Sequence, residues 1–95
     1  NLGFYFKGGR PDVGRFNEAK PVKEVRNALE TALQQPTEVK TYGENNQQRI
    51  TTTYLIDDNT DDAEQRVEEK LLEGLKPFGV VRDNILSSEK VGETV

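Results

Sequence analysis

Two β-type runs joined by a short polar tip constrain this chain more than any other feature. Residues 38–42 carry β-branched and aromatic side chains, and Gly43, Glu44, Asn45 and Asn46 tolerate positive φ. Residues 47–56 then alternate, with Ile50, Thr52, Tyr54 and Ile56 on one side and Arg49, Thr51 and Thr53 on the other. The pattern predicts an antiparallel hairpin with one packed and one wetted face. A helix-period segment stands on each side of it. Pro21 opens the first, and Val22, Val25, Leu29, Ala32 and Leu33 recur on one face, which predicts a helix over 21–35. The second follows five acidic residues between Asp57 and Glu64, with Ala63, Val67, Leu71 and Leu75 at four-residue spacing. Thr60 or Asp61 can cap it, Asp61 with Glu64 suits a capping box, and the other carboxylates meet the positive end of the helix dipole. Gly74, Pro77 and Gly79 mark its end near Lys76.

The flanks complete the pattern. Leu2, Phe4, Tyr5 and Phe6 run into Gly8-Gly9, where a strand can begin or end. Through Val13 and Phe16 a strand is expected at a sheet edge or with a bulge, because Pro11 removes a ladder donor and Gly14 weakens the interior. Val80, Val81, Ile85 and Leu86 supply a last strand, interrupted by Arg82, Asp83 and Asn84. The resulting order, β-α-β-β-α-β, predicts an α+β fold of the ferredoxin-like, split βαβ kind: two helices on one face of an antiparallel sheet.

Composition narrows the chemistry. The chain has 95 residues, one small domain, with 33% hydrophobic against 32% charged residues, so its core must come from a short list. Without cysteine there is no disulfide framework, thiol nucleophile or thiolate zinc site. Without histidine the usual general base and the commonest metal ligand are missing. The net charge is -4 and the basic residues are scattered, which argues against nucleic acid as a partner. No apolar run reaches the roughly 20 residues that span a bilayer. The first residue is Asn1 rather than methionine, and the expectation is of one domain, residues 1–95, excised from a longer chain.

Few constellations invite chemistry. Asp57, Asn59, Asp61 and Glu68 occupy the first, third, fifth and twelfth places of a calcium loop. The sixth place, which needs glycine, holds Asp62, the eighth holds Glu64 where an apolar residue belongs, and a strand precedes the run. A solvated, dipole-compensating helix start therefore outweighs an ion site, and a ligand- or calcium-binding regulatory domain is the alternative reading. Gly8-Gly9-Arg10 lacks the longer frame of either phosphate-binding glycine motif and reads as a turn. Glu68 and Glu69 read as exposed, so no enzymatic activity and no cofactor is expected. Lys40, Tyr42 and Arg49 can form a small binding patch, although ordinary cross-strand pairing is the favoured reading.

Several segments resemble a known family. Gly3-Phe4-Tyr5-Phe6-Lys7-Gly8-Gly9-Arg10 looks like a motif of glycine, any residue, aspartate, phenylalanine, any residue and two glycines. Residues 38–43, Asn45-Asn46-Gln47, Arg49-Ile50-Thr51-Thr52 and residues 54–58 look like a hairpin, and residues 87–92 like an exit segment, of the same family. These parts are similar to the protein-export membrane proteins SecD and SecF, auxiliary subunits of the bacterial Sec translocase, and most to the SecF half of a fused SecDF. Tyr5 stands where the family motif carries aspartate, so that residue's role does not transfer. The resemblance implies a ferredoxin-like periplasmic domain between two membrane helices of an inner-membrane protein, with residues 1–9 and 91–95 as flanking segments. It implies a non-catalytic part in proton-motive-force-driven protein export, by packing against the SecD periplasmic domain and moving with it. The SecYEG translocon and the translocating polypeptide are the further partners it implies. Gly8, Gly9, Arg10, Tyr42, Asn45, Asn46 and Arg49 are the contact residues it singles out.

Overall fold

A computed structural model describes residues 8–86 of the chain. The apolar stretch before Gly8 and the exit segment after Leu86 lie outside the described residues, as does any strand expected there. Within them the order is β1 (Arg10–Arg15), α1 (Val22–Leu33), β2 (Glu38–Tyr42), β3 (Glu44–Thr52), α2 (Ala63–Leu75) and β4 (Ile85–Leu86). The strands form one sheet in the order β2-β3-β1-β4, and every neighbouring pair is antiparallel. This is the α+β, ferredoxin-like arrangement expected from the sequence.

Both helices cover one face of the sheet. Their buried stripes, Val25, Leu29 and Leu33 on α1 and Val67, Leu71 and Leu75 on α2, meet Phe16, Val39, Ile50 and Val80 in a single core. Phe78 adds an edge-to-face contact with Phe16, the ring centroids 6.2 Å apart. Gly74 does not end α2 but lies inside it. A Cβ there would come within 3.0 Å of Leu29 Cδ2 and 3.2 Å of the Leu29 Cα, so the missing side chain is what lets α1 and α2 approach.

The first strand departs from expectation because it is interior, flanked by β3 and β4. Pro11 is accommodated by the alternation of the ladder. The Phe16 amide donates to the Asn46 carbonyl, 2.8 Å, so the amides of Gly14, Asp12 and Arg10 also point toward β3. The nitrogen of Pro11 therefore points toward β4, whose described pairing stops at Val13. No ladder bond is lost there among the described residues.

Other boundaries shift for local reasons. α1 ends at Leu33, where Gln34 takes a left-handed conformation (φ 60°) and donates its amide to the Glu30 carbonyl. The hairpin tip shrinks to Gly43, with φ 76°, and Glu44, Asn45 and Asn46 already belong to β3; a bulge between Thr41 and Tyr42 absorbs the mismatch. β3 stops at Thr52 rather than Ile56, because the Thr52 hydroxyl accepts the Tyr54 amide at 2.9 Å and Leu55 turns to φ 54°. The last strand is short. Val80 enters the core, Val81 is 61% exposed, and the Asn84 side chain accepts the Val81 amide to set a 3₁₀ turn over Arg82–Asn84 before β4.

The capping box also fails. Asp62 precedes Ala63 at the start of α2 without a side-chain cap, and neither Asp61 nor Glu64 closes a reciprocal pair. Asp58 organises the turn instead. Its carboxylate accepts the Thr60 amide (2.9 Å) and hydroxyl (2.5 Å) and pairs with Arg66 of α2 at 2.5 Å.

Candidate functional site

The face of the sheet opposite the helices carries the densest arrangement of polar side chains around the hairpin. Residues directly opposed in an antiparallel ladder share a face, so Arg15 with Gln47, Val13 with Arg49, and Lys40 with Arg49 all lie on this side. Gln47 is the hub. Its Oε1 accepts from Arg15 Nε at 3.0 Å and Nη2 at 2.8 Å, and its Nε2 donates to the Tyr42 carbonyl at 2.9 Å. Tyr42, two residues after Lys40, lies on the same side, where the Arg49 guanidinium is 5.8 Å from its ring centroid. Lys40 stands beside Arg49, its side chain 64% exposed and 3.8 Å from Glu38.

This face is not bare. Val13 is fully buried on it and Gln47 is 3% exposed, with Thr51 and Tyr42 close behind. The sheet therefore has two packed faces, one apolar under the helices and one polar. What projects from the polar face is a cationic corner at the hairpin, with Arg49 over an aromatic ring and Lys40 exposed next to it. Such a corner suits recognition of acidic groups on a protein surface.

The sequence-selected residues divide between two regions. Lys40, Tyr42 and Arg49 come together as described. Asn45 is exposed at the start of β3, while Asn46 is used within the fold, its side-chain amide donating to the Phe16 carbonyl at 2.9 Å. Gly8 has φ 72°, as a turn requires, and precedes Gly9 at the entry to β1. Arg10 is opposite Thr52 on the helix side of the sheet, away from Arg49. It lines a cleft of about 260 Å³ with Asp12, Glu64, Val67 and Glu68, and its Nη1 is buried there without a hydrogen-bond partner.

Asp12 is the unusual group in that cleft. Burial pushes its carboxyl up to about 6, Arg10 opposes the shift, and Glu64 adds to it. Asp58 behaves oppositely, lowered to about 2 by the Thr60 hydroxyl first, then the Thr60 amide and Arg66. The calcium-loop candidates do not converge. Asp57, Asn59 and Asp61 are exposed, and Glu68 instead pairs with Arg82. Among the described residues no three acidic side chains are grouped so as to hold a metal ion.

Sequence reasoning missed Arg15, Gln47 and Asp12. The alternation of Arg49, Thr51 and Thr53 was visible, but only the pairing of β1 with β3 places Arg15 on Gln47. No protein-family model, curated protein or solved structure matches this chain. Among the described residues no helix is long and apolar enough to cross a membrane.

Proposed function

We propose that this chain is the periplasmic domain of the SecF half of a Sec translocase auxiliary subunit, and that it works without turnover. It packs against the SecD periplasmic domain and moves with it during proton-motive-force-driven export, in a protein held in the bacterial inner membrane. The SecYEG translocon and the emerging polypeptide are the neighbours this placement gives it. The resemblance of the hairpin and exit segments to SecF supports the placement, and the ferredoxin-like fold agrees with it. The observation that carries the contact role is the cationic corner, in which Arg49 is oriented by the Tyr42 ring while Lys40 stays exposed beside it.

The test is direct. Arg49→Glu reverses the oriented charge on a half-exposed strand position and is expected to weaken association with the SecD periplasmic domain at least about tenfold, with the effect shrinking at high salt. Equal affinity of variant and parent would remove the corner from the contact. No association of the parent chain with that domain, even when the two are tethered, would remove the reading itself.

A further inference from the structure

The outer edge of β2 offers backbone groups to a further strand. β2 is terminal in the sheet, with β3 on one side and no strand on the other among the described residues. The alternation of the ladder fixes which groups are available. Because the Phe16 amide donates to Asn46, the even-numbered residues of β3 turn their backbone toward β1, and Gln47, Arg49 and Thr51 turn theirs toward β2. Opposite Thr51 and Arg49 stand Glu38 and Lys40, so Val39 and Thr41 direct their amides and carbonyls outward.

Edge strands usually carry a charge that deters pairing, and Lys40 would serve that purpose. Its position two residues from Glu38 changes the outcome in one register. We infer that the β2 edge pairs antiparallel with the β2 edge of a second copy of this chain, about a two-fold axis at Val39. Keeping both helical layers on one side of the joined sheet requires residues of equal parity to face each other. Four centres then fall on β2 ahead of its bulge; one at Thr41 would need the bulged Tyr42 opposite Lys40, which leaves three. An axis at Glu38 sets Glu38 against itself, and one at Lys40 sets Lys40 against itself, both like-charge contacts. The axis at Val39 instead opposes Glu38 of each copy to Lys40 of the other, twice.

The same axis uses the available hydrogen bonds. Val39 exchanges amide and carbonyl with Val39 of the second copy as a hydrogen-bonded pair. Glu38 and Lys40 then form the non-hydrogen-bonded pairs, in which cross-strand side chains approach most closely. Little is given up in forming them, since the Glu38–Lys40 ion pair within one chain is 3.8 Å long with the lysine mostly exposed. The bulge between Thr41 and Tyr42 ends the ladder, which keeps the contact to a short segment and the association weak.

This inference is independent of the SecD reading, because it concerns the chain alone. Sedimentation equilibrium from about 10 μM to 1 mM tests it. The parent chain is expected to dimerise within that range. Glu38→Lys and Lys40→Glu should each weaken dimerisation about tenfold, as two favourable charge pairs become two like-charge pairs. The double variant Glu38→Lys/Lys40→Glu restores opposite charges in the same register and should return to within about threefold of the parent. Thermal melts check that all four chains fold, the Lys40 side chain being 64% and the Glu38 side chain 27% exposed. A parent monomeric at 1 mM would overturn the inference, as would a double variant no stronger than the single ones.

Discussion

The two faces of the sheet are held by different physics. Under the helices, Val39, Ile50, Phe16 and Leu75 pack as an apolar layer in which shape complementarity decides the outcome, with Gly74 setting how closely α1 and α2 meet. On the opposite face, beside the buried Val13, lies a polar network whose centre is the Gln47 amide, bonded to Arg15 and to the Tyr42 carbonyl. The apolar layer makes the fold stable. The polar layer ties the backbone at Tyr42 and the Arg15 guanidinium to Gln47, next to the charges of the hairpin corner.

Substitutions can break that contrast. The largest effect is expected from Leu29→Ala, which empties a fully buried site at the centre of the helical layer. It should cost about 2–5 kcal/mol in urea unfolding, a large share of the about 5–15 kcal/mol typical of such domains; a loss below about 1 kcal/mol would mean that the layer is loosely packed. Gly74→Ala comes next, about 1–3 kcal/mol, because the new methyl meets not only the movable Leu29 Cδ2 at 3.0 Å but also the Leu29 Cα and Ala32 Cβ at 3.2 Å, which cannot swing away. Gly14→Ala is its control. Its Cβ would find Ile50, Phe16 and Leu75 at 3.6–3.9 Å, ordinary contact distances, so equal costs at the two glycines would contradict the close approach of the helices.

On the polar face Gln47→Ala should cost about 1–2 kcal/mol by leaving Arg15 and the Tyr42 carbonyl without their partner. It should also loosen the Tyr42 ring, seen as a smaller ring-current shift on Arg49. An unchanged spectrum there would separate the corner from the network.

The smallest effect depends on pH. Asp12 is a carboxyl on the apolar side whose folded pKa, about 6, exceeds the ordinary 3.8 of an aspartate. The folded state thus holds the proton more tightly, and its contribution to stability is complete below about 4 and lost as pH rises through about 6. Asp12→Asn should therefore stabilise the fold at pH 7.5 by on the order of 1 kcal/mol after allowing for its partial exposure, seen as a higher melting temperature, and leave stability nearly unchanged at pH 4. Equal stabilisation at both pH values would show that Asp12 is not the titrating group.

Much of this was legible in the sequence, and the rest was hidden for identifiable reasons. Helical periodicity located α1 and α2 because Val25, Leu29 and Leu33, and Val67, Leu71 and Leu75, follow the pitch of an α-helix. The β2–β3 pairing followed from the same logic at period two. What failed was local competition: Thr52, Asn84 and Asp58 bond to nearby backbone and end or turn segments that alternation alone would extend. Strand order was hidden more deeply. Pro11 argued for an edge, and only the direction of its nitrogen, a property of the whole ladder, allows β1 an interior place. The polar network was invisible for a related reason, since Arg15 and Gln47 meet across the pairing of β1 and β3.

We propose that the hairpin corner of Lys40, Tyr42 and Arg49 is the surface through which this domain meets a protein partner. Titrating the ¹⁵N-labelled chain with the SecD periplasmic domain, and following amide shifts residue by residue, tests it most directly. Perturbations are expected to concentrate on β2 and β3 around Lys40 and Arg49, with α1 and α2 little changed. Perturbations confined to the helices, or none at all at saturating partner, would contradict it.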